Sequence, residues 1–219
     1  MILKVHSIIL KRNNQLLFKN FSLNLQNSQI IILRGENGVG KSSLLLSIIG
    51  LIDLESGYIS IDGIHSNKIN ANKSELFFFL GHDNCLKENL TVLENLKIWT
   101  SLINLRLKDK DIIKKLHYFN INNFFDYPIK NLSEGQKRRV ALSKLLFVNS
   151  NLWVLDEPTN GLDTNSETLF EKLLETHQNK GGAVILSSHN NFKLRNHKVV
   201  KINKIKSEKT SEIVDWNDL

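Results

Sequence analysis

The sequence predicts an α/β fold built around a parallel sheet, and two observations carry that expectation. Short, continuously apolar runs at 29–33 (QIIIL), 76–81 (LFFFLG), 152–157 (LWVLDE) and 183–189 (AVILSSH) alternate with stretches of helical patterning. Parallel neighbours need such helical crossovers. A glycine-rich turn also lies directly between the first run and an apolar helix at 43–49, the strand–turn–helix order that places a helix N-terminus at a sheet edge.

In chain order, residues 1–33 read as strands. FSLNL (21–25) alternates apolar and polar residues as a half-buried strand does, whereas QIIIL is apolar after Gln29 with three β-branched isoleucines in a row, as suits a strand buried on both faces. GYISIDG (57–63) alternates and closes on Asp-Gly, a hairpin signal. Residues 91–130 read as mainly helical, opening on Thr91-Val92-Leu93-Glu94 with capping-box spacing. Beyond Ile202 the chain turns polar and charged, and no internal repeat or low-complexity linker is present.

The 219 residues fit one domain, with 41% hydrophobic and 23% charged content ordinary for a globular protein. A single cysteine, Cys85, excludes an internal disulfide and suits a reducing compartment. The start MILKVHSIIL lacks the pattern of a secretory signal. The longest apolar stretch, 44–54, is interrupted by Ser47, Gly50 and Asp53, so the expectation is a chain soluble by itself or held to a membrane by a partner. The net charge of +7 and pI near 9.4 admit nucleic acid, an anionic membrane or a solvated basic face. The basic residues are scattered and none form a block interleaved with aromatics, which favours the solvated face and no nucleic-acid partner.

Gly35-Glu36-Asn37-Gly38-Val39-Gly40-Lys41-Ser42, with Ser43 behind it, matches G-x-x-x-x-G-K-[ST]. Glycines let backbone N–H groups wrap phosphates, and the helix N-terminus adds favourable potential. Lys41 would reach the β- and γ-phosphates of ATP and Ser42 would place its hydroxyl on Mg²⁺. At the end of a second apolar strand stand Asp156, suited to the Mg²⁺ side, and Glu157, suited to general base for an attacking water.

With these residues in hand, the chain resembles the ABC ATPase family. Leu132-Ser133-Glu134-Gly135-Gln136 resembles its L-S-G-G-Q signature, with Ser133 also placed to cap a helix and Gln136 at the capping-box position. Leu162-Asp163 resembles the D-loop, and His189 the switch histidine that hydrogen-bonds the γ-phosphate. The resemblance implies a P-loop NTPase (RecA-like) parallel-sheet core with an antiparallel β subdomain and an α-helical signature subdomain. One ATP-binding domain would span 1–219: core and β subdomain at 1–83 and 148–205, helical subdomain at 84–147, polar tail at 206–219. It further implies a head-to-tail homodimer with ATP sandwiched between one copy's glycine loop and the other's Ser133, Gly135 and Gln136.

A narrower resemblance lies at 80–87 (LGHDNCLK) and 90–96 (LTVLENL), which is similar to the ATP-binding subunit of the haem-exporter type serving cytochrome c maturation. This implies an integral membrane permease partner and a peripheral position on the cytoplasmic face of the inner membrane. Three departures from the family pattern stand out. Asp83 occupies the Q-loop glutamine position, where it could accept from water or ligate Mg²⁺. Glu134 replaces a signature glycine and brings a carboxylate toward a phosphate site. Arg12 stands where an aromatic commonly stacks on adenine, and its guanidinium is expected to stack instead. The alternatives are another small ABC exporter, or an ABC ATPase acting on nucleic acid or ribosomes. Against the latter, the sequence shows neither the long coiled-coil insertion nor the second cassette that such relatives carry.

Overall fold

The computed structural model describes residues 2–68 and 76–205, so the polar tail expected at 206–219 lies outside the described residues. Among the described residues, nine strands form two sheets. The smaller, antiparallel sheet has the order β2-β1-β4-β5, from β1 (Leu3–Arg12), β2 (Gln15–Leu25), β4 (Ser56–Ile61) and β5 (Ile64–His65). Its hairpins turn where the sequence permits left-handed backbone: Asn13 and Asn14 at φ 50 and 60, then Asp62 and Gly63 at φ 47 and 79. Two such residues make the turn whose twist matches the flanking strands.

The larger sheet runs β6 (Phe77–Leu80), β7 (Leu152–Asp156), β8 (Ala183–Ser187), β3 (Ile30–Arg34), β9 (Lys198–Lys201), and each neighbouring pair is parallel. Its strands β7, β8 and β3 are buried on both faces, which explains their apolar runs. Ile31, Leu33, Leu152, Val154 and Ile185 pack with the small sheet and α1 (Lys41–Ile48). Ile30, Ile32, Trp153, Leu155, Val184 and Leu186 pack on the opposite side with α4 (Glu134–Ser143) and α5 (Thr164–Asn179). β9 escaped the sequence reading because KVVK is four residues long and mostly exposed, giving no period to detect.

The region 91–130 is less helical than its patterning suggests. α2 (Val92–Leu102) begins with the expected capping box, Glu94 N–H donating to Thr91 Oγ1 at 3.1 Å and Thr91 N–H to Glu94 Oε2 at 2.8 Å. α3 (Asp109–Leu116) follows, but then only short 3₁₀ turns appear, at Ser-poor, Asn-rich sequence where Asn120 takes φ 54 and Pro128 cannot continue a helix. A third apolar core centred on Val92, Leu96, Ile112, Leu116 and Val140 holds α2, α3 and α4 together.

On α5, His177 stacks on Trp153 with ring centroids 3.7 Å apart and planes 8° from parallel. Its Nε2 is buried without a hydrogen-bond partner among the described residues. Burial pushes its pKa down from 6.5 to about 4. The folded state therefore refuses a proton that the unfolded chain accepts, so this stability is intact above pH 6.5 and is lost as pH falls from about 6.5 toward 4. Thermal midpoints across that window should fall more steeply for the wild type than for His177→Phe; parallel curves would show that His177 is not the titrating group.

Candidate nucleotide site

The glycine loop leaves the end of β3, an interior strand between β8 and β9, and enters α1 through Gly40, the helix N-cap at φ 108. A side chain there would be strained by the backbone and would meet Phe18 at 3.0 Å and Leu17 at 3.2 Å. The first turn of α1 thus presents free N–H groups to a cleft of about 590 Å³. Arg12, Asn37, Gly38, Gly40, Lys41, Ser42, Ser43, Glu157 and His189 line it. Gly35 and Glu36 reach the site through their carbonyls, which accept from Lys41 Nζ at 2.8 and 3.3 Å. Val39 instead turns its side chain into the core. Arg12, at the end of β1, donates to Ser43 Oγ at 3.4 Å, so its guanidinium sits over the start of α1.

The opposite wall is made by the ends of β7 and β8. Asp156 is buried and is the register partner of Ser187, whose hydroxyl donates to Asp156 Oδ1 at 2.5 Å. The Glu157 N–H in turn donates to Ser187 Oγ at 2.9 Å. Glu157 adopts φ 45, a left-handed conformation that disfavours an L side chain by about 1–2 kcal/mol and so requires support from its surroundings. From that position its Oε1 lies 4.0 Å from Lys41 Nζ and 3.6 Å from His189 Nε2. His189 Nε2 is also 3.2 Å from Lys41 Nζ and 3.0 Å from Asn37 Oδ1. Cation, carboxylate and imidazole from three distant segments therefore converge at one helix tip.

Other expected residues lie elsewhere. Asp83 is 97% exposed, its carboxylate 4.0 Å from His82 Nδ1, and it is His82 that enters the cleft wall. Arg138 holds the chain after β6 by donating to the carbonyls of Gly81 and His82, and the Asp83 side chain, expected at the metal side, stands in solvent. Ser133, Gly135 and Gln136 form the tip of α4, with Ser133 N–H donating to Gln136 Oε1 at 2.8 Å and Gln136 N–H to Ser133 Oγ at 3.3 Å. None of the three lines the cleft of its own chain. Glu134, in the first turn of α4, pairs with Lys137, its carboxylate 2.9 Å from Lys137 Nζ. Gly135 allows the loop before α5 to approach, since a Cβ would meet the Gly161 carbonyl oxygen at 2.8 Å. Asp163 caps α5 by accepting the Ser166 N–H at 2.7 Å, which holds its carboxyl below the usual carboxylate range.

Two buried cations, Arg138 on α4 and Lys144 at its C-cap, were not singled out by motif. Arg138, 3% exposed, donates to the carbonyls of Gly81 (3.2 Å), His82 (3.3 Å), Asp156 (3.2 Å), Glu157 (2.9 Å) and Pro158 (2.8 Å) and to Asn84 Oδ1 (3.1 Å). Burial lowers its pKa to about 10 even though Asp156 and Glu157 oppose the shift, so it stays charged. Lys144 donates to the carbonyls of Asn84 and Cys85 at 3.0 and 3.3 Å, and burial lowers its pKa to about 8. A signal did exist: Arg138 falls in helical phase with the apolar Ala141, Leu142 and Leu145, all in the core.

A glycine cradle, a buried lysine and a carboxylate–imidazole pair make a nucleoside triphosphate site, and comparison with known proteins agrees. The profile of the ABC transporter family matches residues 18–160. The chain belongs to that family. It is similar to the cytochrome c biogenesis ATP-binding export protein CcmA of Vibrio parahaemolyticus, 33% identical over 201 residues covering 92% of this chain and 98% of that one. The CcmA of Rhizobium johnstonii is 35% identical over 197 residues, 88% of this chain and 90% of that one. Among solved structures, a putative ABC transporter ATP-binding protein from Pyrococcus furiosus superposes with a TM-score of 0.80 at 23% identity, covering 92% and 98% of the two chains. The ATP-binding cassette MJ0796, solved as a dimer in a post-hydrolysis state with ADP and Pi, gives 0.78 at 21% identity, covering 94% and 97%. These two likenesses establish the fold. The chain is thus the ATP-binding, ATP-hydrolysing subunit of an ABC transporter.

Replacing Arg138 by Met removes the shared donor of two backbone segments and leaves buried carbonyls unpaired. We expect a loss of at least about 3 kcal/mol in urea unfolding, only partly recovered by Arg138→Lys, whose single ammonium cannot span both segments. An unchanged midpoint would contradict the role assigned to the guanidinium.

Proposed function

We propose that this chain is the ATPase of a haem-exporter-type complex serving c-type cytochrome biogenesis. It would act as a homodimer on the cytoplasmic face of the inner membrane, beneath an integral membrane permease. Support for the cargo class comes from the CcmA relatives and from the segments at 80–87 and 90–96. Among the described residues no helix is long and apolar enough to cross a membrane, so membrane placement rests on the permease.

One observation carries the homodimer. The cleft gathers Lys41, Glu157 and His189 within 4.0 Å, yet the capped helix tip at Ser133 lies outside its walls. A second copy, approaching head to tail, offers that tip to the γ-phosphate with its N–H groups directed at the anion. Lys41 then exchanges its carbonyl partners for phosphate oxygens, and the N–H groups of 36–42 hold the remaining oxygens. Glu157 accepts a proton from the attacking water, and His189 positions the γ-phosphate from the other side of Glu157. When bound, Mg²⁺ supplies positive charge against the phosphates. The Ser42 hydroxyl and the buried Asp156 carboxylate are the donor set for it, both being hard oxygen ligands. Arg12, which lines the cleft and donates to Ser43 Oγ, would lie against the adenine.

The test is genetic and biochemical at once. A deletion strain should lose haem-stained c-type cytochromes while keeping b-type ones, and should regain them with the wild-type chain but not with Glu157→Gln. Normal c-type cytochromes in the deletion strain would move the chain to another small exporter; rescue by Glu157→Gln would remove Glu157 from the chemistry.

A further inference from the structure

We infer that Ser187 is a positioning residue for ATP hydrolysis, its single hydroxyl setting both the metal-side carboxylate of Asp156 and the left-handed backbone of Glu157; this rests on the roles proposed above for those two residues. Ser187 is wholly buried at the C-terminal end of β8, where strand register places it directly beside Asp156. Its oxygen does two things with a consistent direction. The Oγ–H donates to Asp156 Oδ1, and a lone pair accepts the Glu157 N–H. A hydroxyl can donate once and accept at the same time, so serine or threonine meets both demands and an apolar side chain meets neither.

The consequence for Glu157 follows from its backbone. At φ 45 the residue is held on both sides of its α-carbon by side chains from other elements: Ser187 takes the N–H, and Arg138 donates to the carbonyl at 2.9 Å. Only while both are in place does the carboxylate stay between Lys41 and His189. The consequence for Asp156 is different. With one oxygen fixed by Ser187, the carboxylate keeps a single orientation, and the other oxygen is directed by the same bond. One atom thus ties the ligand that would hold Mg²⁺ to the base that would activate water.

The experiment compares Ser187→Ala, Ser187→Thr and Ser187→Val in the full-length chain, with Asp156→Asn and Glu157→Gln alongside. Three readouts are taken: ATP binding in EDTA with a fluorescent ATP analogue, the Mg²⁺ concentration giving half of the ATP-dependent thermal shift, and kcat with KM for ATP. Ser187→Ala should bind nucleotide in EDTA like wild type, need about 10-fold or more Mg²⁺, and lose about 10- to 100-fold in kcat with little change in KM. Ser187→Thr should restore both Mg²⁺ dependence and kcat, and Ser187→Val, of the same shape without the hydroxyl, should not. Should the Ala variant fail to fold, the Thr and Val pair decides alone. Equal behaviour of Thr and Val, or a wild-type Mg²⁺ dependence and kcat in Ser187→Ala while Asp156→Asn and Glu157→Gln are inactive, overturns the inference. Full activity in Asp156→Asn and Glu157→Gln would instead overturn the underlying assignment of the site.

Discussion

The guanidinium of Arg138 is the contact on which the arrangement of the site depends. A single buried cation joins three elements that come from different parts of the chain: the helix α4, the segment leaving β6 and the turn leaving β7. Each acceptor but one is a backbone carbonyl at a strand end, where the sheet no longer provides a partner. An apolar residue in that position would leave these carbonyls unsatisfied, and a lysine could not fork to both segments. The desolvation of the charge is offset by the number and geometry of its acceptors, and the neighbouring carboxylates of Asp156 and Glu157 keep it protonated.

That contact also links chemistry to assembly. The same helix that carries Arg138 into the core begins at the Ser133 tip, which does not line the cleft of its own chain. Below it, Gly135 admits the Gly161 carbonyl of the loop that follows Glu157, and Asp163 closes that loop by capping α5. Arg138 and the Gly135–Gly161 contact thus join the β7 turn to the helix that starts at Ser133. Lys144 extends the grip to Asn84 and Cys85, so the segment resembling the haem-exporter type is fastened to the same helix.

Much of this was legible in the sequence because it rests on local rules. The apolar runs at 29–33, 152–157 and 183–189 give the buried parallel strands, Asp62-Gly63 the second hairpin, and Thr91-x-x-Glu94 and Ser133-x-x-Gln136 two helix starts. The glycine loop, Lys41, Glu157 and His189 meet because motif residues at strand ends of one parallel sheet are brought to one edge. What escaped was long-range. Ser187 reads as one more strand residue until the register pairs it with Asp156, and Arg138 reads as a surface arginine until helical phase is followed into the core. Aligned position put Asp83 at the site, whereas in this structure its side chain is exposed and His82 lines the cleft.

The most direct test of the two-chain site is complementation between defective copies. Lys41→Ala chains lack the phosphate lysine but keep an intact helix tip, and Ser133→Arg chains keep the cleft but block the tip. Each alone should release no phosphate from MgATP. Mixed, they form dimers in which the Ser133→Arg cleft faces the Lys41→Ala tip, and phosphate release should reappear. A mixture as silent as its components, or Ser133→Arg chains that hydrolyse ATP by themselves at the wild-type rate, would contradict a site completed by a second copy.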